Sequence, residues 1–427
     1  MNPIPRISWL SAALLATATA FAADKPVLKD VFKGKFEVGV AINRSVPTGT
    51  AGMRRSQEQV NSDIALVKEH FNHIVAENDM KWESIHPRAG ADGYNFVPAD
   101  ALVNFGVSNK MSIAGHTLVW HSQTPNWVFS GTNPPPASAT NTPPPAPAPT
   151  VSTNGAGTNA SGAHRPGFGP GFGGGFGRGG YNGPRASREE LLERMRDHIH
   201  TVVGRYKGKI KVWDVVNEAL TDSGTTNVLR PSLWHDIIGP DFIAKAFQYA
   251  HEADPNAILR YNDYGLENPM KLRKLIVMVK QLQEQKVPIH AIGTQVHINV
   301  STTFETMDNS LAQIATLGLP IHVTELDINS AQGGQRSTGA DISANASTTQ
   351  GGLVSDADKK LADAYEAVFR AFVKHDKSLD LVVFWGVNDA VSWRAQGKPL
   401  IFDDDNKPKP AFDAVVRSAA AIQPDVQ

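Results

Sequence analysis

Two short apolar runs in this chain each deliver a glutamate to their end. In residues 211–220, KVWDVVNEAL, strand alternation places Asp214, Val216 and Glu218 on one face and Trp213 and Val215 on the other. In residues 321–328, IHVTELDI, Glu325 and Asp327 share a face. Two glutamates facing each other across a sugar can divide one hard substitution into acid-assisted departure and nucleophilic attack. The acid must keep its proton near neutral pH, which requires a pKa raised from about 4.3 towards about 6 or 7 by apolar walls or a neighbouring negative charge. The nucleophile must stay ionised, which hydrogen bonds from His297 would favour. Buried carboxylates at strand ends also serve as structural ion-pair partners, so the pair alone leaves both readings open.

The elements that must position these glutamates follow a regular rhythm. Strand-like runs at 37–42, 73–78, 112–121, 211–218, 257–264, 291–298, 321–328 and 381–387 alternate with amphipathic helices at 56–70, 98–110, 187–206, 240–253, 269–286, 304–317, 356–375 and 410–422. Ser187 and Glu190 have capping-box spacing, and Pro240, Pro269 and Pro410 sit where a first helical turn accepts proline. Repeated strand-helix units predict a single (β/α)8 TIM barrel, of class α/β. An open doubly wound sheet would ordinarily show a glycine-rich phosphate turn after its first strand, where this chain has Asn43-Arg-Ser-Val-Pro.

In such a barrel the chemistry sits where the strands end. The polar residues there are Glu77 and Asn78, His116 to His121, Asn217 and Glu218, Asn262 to Tyr264, Gln295 and His297, Glu325 and Asp327, and Trp385 with Asn388 and Asp389. Even spacing within Asp214/Glu218, Gln295/His297 and Glu325/Asp327 suits inward pointing. Asn217 has the wrong parity and needs a bulge or an early strand end to join them. Trp82, Trp120, Trp127, Trp385 and Trp393 fall near the same ends, and an indole face complements the C–H face of a sugar ring.

Composition narrows the partners. Lys+Arg 41 against Asp+Glu 42 leaves a net charge of -1 without a basic stripe, which argues against nucleic acid and for a neutral ligand. The chain has no cysteine, which excludes disulfides, thiolate metal sites and a cysteine nucleophile. His116 and His121 are five apart and fall on opposite faces of a strand, and His290, His297 and His322 lack a metal-binding spacing, so no metal or other cofactor is expected. Arg6, the uncharged run 7–20 and the small-residue site Ala20-Phe21-Ala22 read as a signal peptide at 1–22, followed by a catalytic domain at 24–427 that is secreted, extracellular or periplasmic. No later run of about 18 apolar residues occurs, so no membrane span is expected, and a monomer is. Two segments interrupt the barrel as long low-complexity βα-loop inserts: 131–185, rich in Pro and then Gly, reads as disordered, and 330–355, rich in Gly, Ser and Thr, reads as flexible. Both would lie on the catalytic face, either as inert linkers or, for the first, as a flap using Phe168, Phe172, Phe176 and Tyr181.

Seven ordered motifs carry a resemblance: Ala76-Glu-Asn-Asp-Met-Lys-Trp82, Gly115-His-Thr-Leu-Val-Trp-His121, Trp213-Asp-Val-Val-Asn-Glu218, Tyr261-Asn-Asp-Tyr264, Gly293-Thr-Gln-Val-His297, Thr324-Glu-Leu-Asp327, and Trp385-Gly-Val-Asn-Asp389 with Ser392-Trp393. The sequence resembles the endo-1,4-β-xylanases of glycoside hydrolase family ten, in clan A. That resemblance implies retaining hydrolysis of internal linkages in xylan, with xylo-oligosaccharides as products. It makes Glu218 the acid/base and Glu325 the nucleophile. It implies that His297 and Asp327 hold the nucleophile, that Gln295 and Asp214 support the acid/base region, and that Asn217 binds the hydroxyl beside the reacting carbon. Glu77, Asn78, Lys81, His116, Trp120 and Gln123 match positions lining the glycone side, Tyr264 an aglycone aromatic, and Trp385 and Trp393 the pair crowding the reacting sugar. Loop conformations around Gln123 and Trp127 stay open, because the first insert follows them directly. The competing expectations are a catalytically inactive carbohydrate-binding barrel and a related β-1,4-glucanase.

Overall fold

The computed structural model describes residues 25–52, 55–131, 181, 183–330 and 354–420. The expected leader at 1–22, Phe168, Phe172 and Phe176 of the first insert, and 331–353 of the second lie outside these residues.

Strands β1 (Glu37–Ile42), β2 (His73–Ala76), β3 (Ser112–Trp120), β4 (Val212–Asn217), β5 (Ile258–Asp263), β6 (Ala291–Thr294), β7 (His297–Asn299), β8 (Ile321–Asn329) and β9 (Leu379–Phe384) carry the sheet. They run parallel in the order β6-β5-β4-β3-β2-β1-β9-β8, and pairing of β6 with β8 closes the ring. With β7 continuing β6, the nine segments make the staves of a (β/α)8 barrel. Around them lie helices α1 (Gln57–His70), α2 (Val97–Ser108), α3 (Arg188–Arg205), α4 (Phe242–Ala253), α5 (Pro269–Glu284), α6 (Phe304–Ala315), α7 (Val354–Lys374) and α8 (Pro410–Ser418). Ser56 with Gln59 and Ser187 with Glu190 form reciprocal capping boxes that start α1 and α3 by satisfying otherwise orphaned N–H groups. Three short helices within the loops, Ser45–Thr48, Trp82–Ile85 and Leu233–Ile238, have too few residues to show a periodic stripe and are absent from the sequence reading.

The apolar residues divide into two cores. The larger packs helices on the outside of the sheet, while Ala41, Val75, Ala114, Val212, Leu381, Val383 and Trp385 form a separate cluster of small and branched side chains. That second cluster comes from alternate positions of the staves, as barrel interiors require.

Two irregularities bear on the site. Between Asp214 and Val216 the register of β4 against β5 slips by one residue, so Val215 is the extra residue of a bulge. The expected continuous strand at 291–298 is instead broken: β6 ends at Thr294, Val296 has φ 59°, and β7 then pairs with the far end of β8. A β-branched residue at positive φ is a strained choice that costs about 1–3 kcal/mol and persists because surrounding contacts fix it.

Where the first insert leaves the barrel, its two stems are tied together. Ser130 bridges Arg185, the Gly131 N–H donates to Pro184 O at 2.7 Å, and the Ala186 N–H donates to Phe129 O at 2.8 Å. The Tyr181 hydroxyl donates to Pro184 O at 2.9 Å, so this expected flap aromatic folds onto the neck.

Candidate active site

Glu218 follows directly on β4 with φ 56°, a backbone state rare for a side chain of its size. Its N–H stays tied to the barrel through Asn262 O at 2.9 Å. Its carboxylate accepts from Trp120 Nε1 at 3.0 Å and from Gln295 Nε2 at 3.1 Å, and the residue is 3% exposed. The β4 bulge corrects the parity of Asn217, whose Oδ1 accepts from Asn262 Nδ2 at 2.9 Å and lies 3.4 Å from Gln295 Nε2. Both neighbours of the sequence motif therefore reach the same cleft despite adjacent positions.

Glu325, on β8, is held differently. Its Oε1 accepts from Asn262 Nδ2 at 2.8 Å, and its Oε2 lies 3.2 Å from His297 Nε2. The opposite ring nitrogen of His297 lies 3.0 Å from Asp327 Oδ2. Asp327 in turn accepts from Trp393 Nε1 at 2.7 Å and from Arg394 Nη1 at 2.9 Å. Burial disfavours charge on each of these groups, yet the balance goes the other way. For His297 burial is outweighed by Asp327 and Glu325, whose negative charges and hydrogen bonds lift it to about 9. For Glu325 burial is outweighed by the His297 hydrogen bond and by the charges of His116 and His297, which hold its carboxyl below the usual range. Asp327 is likewise depressed, burial being outweighed by His297 and Arg394. At neutral pH the arrangement is a carboxylate, an imidazolium and a second carboxylate in line.

Asn262 joins the two glutamates: its backbone O accepts from the Glu218 N–H, its amide nitrogen reaches both Glu325 and Asn217, and its Oδ1 accepts from Thr324 Oγ1 at 2.7 Å. A Cβ on Gly293 would lie 2.4 Å from that Oδ1, which explains glycine at this position of β6. Deeper in the barrel, Asp214 lies 3.0 Å from His116 Nδ1 and accepts from Arg260 Nε at 2.6 Å and Nη2 at 3.0 Å. Burial opposes its charge but is outweighed by Arg260 and His116, and its carboxyl sits far below the usual range.

The remaining expected residues separate into two groups. At the ends of β2 and β3, Lys81 Nζ donates to Asn78 Oδ1 at 2.9 Å and lies 5.0 Å from the Trp120 ring, and Gln123 Nε2 is 3.4 Å from the same Asn78 oxygen. Glu77 caps this corner through its N–H to Ile42 O at 3.1 Å. Trp385 meets His116 edge-on at 5.5 Å and His297 at 6.2 Å, while Trp393 lies over His297 at 5.0 Å and remains 38% exposed. Tyr264 is on the opposite flank. Its hydroxyl contacts Asp222, Arg230 Nη2 donates to it at 2.6 Å, and Lys271 Nζ lies 3.3 Å above its ring. Burial first, then the carboxylate of Asp222, raises the phenol far above its ordinary value.

The sequence reading placed Asn262 at a strand end without a role, and it passed over Arg230, Arg260 and Arg394. Their signal is only that of charged residues in or after apolar runs, which ordinarily marks a solvent face. Among the described residues no group of three or more His, Asp or Glu is arranged to hold a metal ion.

Comparisons with known proteins agree with this geometry. The family model described as Glycosyl hydrolase family 10 matches residues 27–142 and 181–418, passing over 143–180. A β-1,4-xylanase of Dictyoglomus thermophilum is 34% identical over 400 residues, 92% of this chain and 91% of that protein. The endo-1,4-β-xylanase of Geobacillus stearothermophilus is 33% identical over 399 residues, 92% of this chain and 98% of that one. Other relatives are longer: the chain spans 28% of endo-1,4-β-xylanase A of Thermoanaerobacterium saccharolyticum, at 35% identity over 412 residues. Among solved structures, an endoxylanase retrieved from sugarcane soil metagenome superposes with a TM-score of 0.73 at 34% identity, covering 91% of this chain and 99% of that one. The closed parallel barrel, the paired glutamates at its mouth and these matches establish that the chain belongs to glycosyl hydrolase family 10.

Proposed function

We propose that this chain is a secreted endo-1,4-β-xylanase that hydrolyses internal β-1,4-xylosidic bonds of xylan by retaining double displacement. The observation that carries the reading is the unlike provision for two buried glutamates. Glu325 has an imidazolium and an amide at its oxygens, which suits a permanently ionised nucleophile, whereas Glu218 has only neutral donors, which suits a group that gains and loses a proton. Glu325 attacks the anomeric carbon as Glu218 gives its proton to the departing glycosidic oxygen. Water then displaces Glu325 from the glycosyl-enzyme while Glu218 takes the proton from that water, and both carboxyls return to their starting states. A retaining enzyme of this kind places its carboxyl groups about 5 to 5.5 Å apart.

The xylan specificity draws on relatives that carry the xylanase name. It also draws on a solved complex of xylotetraose with an intracellular xylanase of Thermoanaerobacterium saccharolyticum bearing a glutamate-to-alanine change, at 35% identity and a TM-score of 0.69. In our reading Asp214, Gln295, His297 and Asp327 position the two glutamates and Asn217 binds the neighbouring hydroxyl. Glu77, Asn78, Lys81, His116, Trp120 and Gln123 line the glycone side, Tyr264 faces the aglycone, and Trp385 and Trp393 crowd the place where glucose carries its hydroxymethyl group. The chain acts as a monomer after removal of residues 1–22, and its inserts lie outside the catalytic chemistry.

Product release from xylan, carboxymethylcellulose and an aryl xylobioside, with Glu325→Ala as control, tests the reading. Short xylo-oligosaccharides from xylan that vanish in the variant are expected. Binding without products would instead assign a carbohydrate-binding barrel, and faster release from carboxymethylcellulose would assign a glucanase.

A further inference from the structure

Below the two glutamates, the barrel interior holds a buried ion cluster that the catalytic steps above do not use. Arg260, on β5, is 2% exposed and directs all of its fork into the barrel. Nε and Nη2 donate to the two oxygens of Asp214, at 2.6 and 3.0 Å, and Nη1 lies 3.0 Å from His322 Nδ1. A guanidinium only donates, so His322 accepts at Nδ1 and is the neutral tautomer with its proton on Nε2. Burial, then the charges of Arg260 and His73, keep His322 neutral well below its ordinary value. Asp214, ionised and acceptor-only, takes its remaining hydrogen bond from His116 Nδ1–H, which leaves Nε2 as the free nitrogen of His116.

We propose that Arg260 is a positioning residue for the hydrolytic reaction: its guanidinium neutralises Asp214 so that the buried carboxylate can orient His116 without imposing its negative charge on Glu325.

The charge inventory around the nucleophile gives the argument its direction. Glu325 faces His297 from β7, His116 from β3 and Asp214 from β4, and Asp214 acts to raise its pKa while the histidines lower it. Arg260 itself is faced by Asp214, by His322 from β8 and by His73 from β2, and His73 is paired through Nδ1 with Glu37 of β1 at 3.2 Å. Two other buried carboxylates near the site are each paired with a cation: Asp327 with Arg394 at 2.9 Å and Asp263 with Lys271 at 2.8 Å. Arg260 fills that role for Asp214. Removing it leaves an uncompensated carboxylate beneath the nucleophile, and loss of a nearby positive charge raises the pKa of each carboxyl it faced.

The proposal rests on Glu325 being the nucleophile, and the test separates the two. An aryl xylobioside with a very good leaving group reports formation of the glycosyl-enzyme, so the acid limb of its kcat/KM profile follows ionisation of the nucleophile side. Arg260→Leu is expected to move that limb upward by about one pH unit or more. Arg260→Leu with Asp214→Asn removes both charges and is expected to return the limb towards its original position. Arg260→Lys keeps the charge without the fork, and is expected to lower kcat while leaving the limb in place; it also serves if the leucine variant fails to fold. An unmoved limb in Arg260→Leu, or a shift that the double variant does not reverse, overturns the proposal. Retention of turnover by Glu325→Ala would instead overturn the assignment of the nucleophile.

Discussion

Glu218 and Glu325 open into one cleft and are buried to a similar degree, yet the donors bonded to them differ in charge. Around Glu218 the donors are an indole and a carboxamide. Around Glu325 they are a carboxamide and a histidine lifted to about 9 by its own carboxylate partner. Burial alone pushes any carboxyl towards its neutral form, so the difference between the two residues comes from what is placed against them. One carboxyl is bonded directly by a cation, whereas the other takes its hydrogen bonds from neutral groups and meets the charge of Arg230 only through space. That division matches a reaction in which one carboxyl is always the anion and its partner exchanges a proton.

The largest break in this comparison is to delete each carboxyl in turn. Glu325→Ala is expected to abolish turnover of every substrate, because no other group can form the glycosyl-enzyme. Glu218→Ala is expected to lower the rate on xylan by about 10²- to 10⁴-fold while sparing glycosyl-enzyme formation from aryl glycosides with good leaving groups. Burst kinetics on such a substrate read this directly. Equal losses for both variants there would contradict the assigned roles.

A smaller effect follows from removing the charge and keeping a donor. His297→Gln is expected to cost about ten- to a hundredfold in kcat/KM, the worth of a charge-assisted hydrogen bond of about 1.5–3 kcal/mol. The pH profile should change on both sides. On an aryl xylobioside with a very good leaving group, which does not need the Glu218 proton, wild-type kcat/KM should fall as pH rises through about 9, where His297 loses its proton, and this limb should vanish in the variant. The acid limb should move up, since Glu325 loses the cation that depresses it. A basic limb that persists unchanged would place its origin elsewhere. On the other half of the site, Trp120→Phe deletes one neutral donor to Glu218 and is expected to cost no more than about tenfold, chiefly with poor leaving groups.

The same contrast marks what the sequence could and could not reveal. The staves and helices were legible because apolar periodicity and a capping box such as Ser187/Glu190 are local signals, and both are present in the fold, although Pro240 falls one residue before the Asp241 N-cap and not in the first turn. The parity conflict at Asn217 was legible too, and the bulge at Val215 resolves it. The break at Val296 was not, because a β-branched residue reads as strand and only its surroundings hold it at φ 59°. That break matters: it sends Gln295 to Glu218 and, two residues later, His297 to Glu325. The cations were the least visible part. Arg260 sits in ILRYND, where a lone arginine suggests a solvent face, and Arg394 lies past the last strand. Their partners Asp214 and Asp327 are 46 and 67 residues distant in sequence, so nothing local announces the pairing.

Histidines outside the cleft carry the comparison to stability, where the effect is smallest. His297 is buried beside carboxylates and gains its proton, whereas His198 on α3 is buried among rings and loses it. The His198 ring stacks on Trp82 at 3.6 Å and 4°, with His86 parallel to it at 5.8 Å on a stack that continues to Tyr94. Burial, with a minor contribution from His86, holds His198 neutral well below its ordinary value. The two residues therefore tilt the pH dependence of folding in opposite senses. The raised pKa of His297 contributes stability that is present below about 6.5 and is lost as pH rises through about 9. For His198 the unfolded chain takes up a proton below about 6.5 that the folded chain refuses, so stability is lost as pH drops, by up to about 1.4 kcal/mol per unit. His198→Phe preserves the stacking face and removes the titration. Its denaturation midpoint should therefore decline less steeply than that of the parent between about pH 6.5 and pH 5. Parallel slopes for the two proteins would mean that the ring stack admits a proton, and that aromatic burial does not enforce neutrality as it does in this reading.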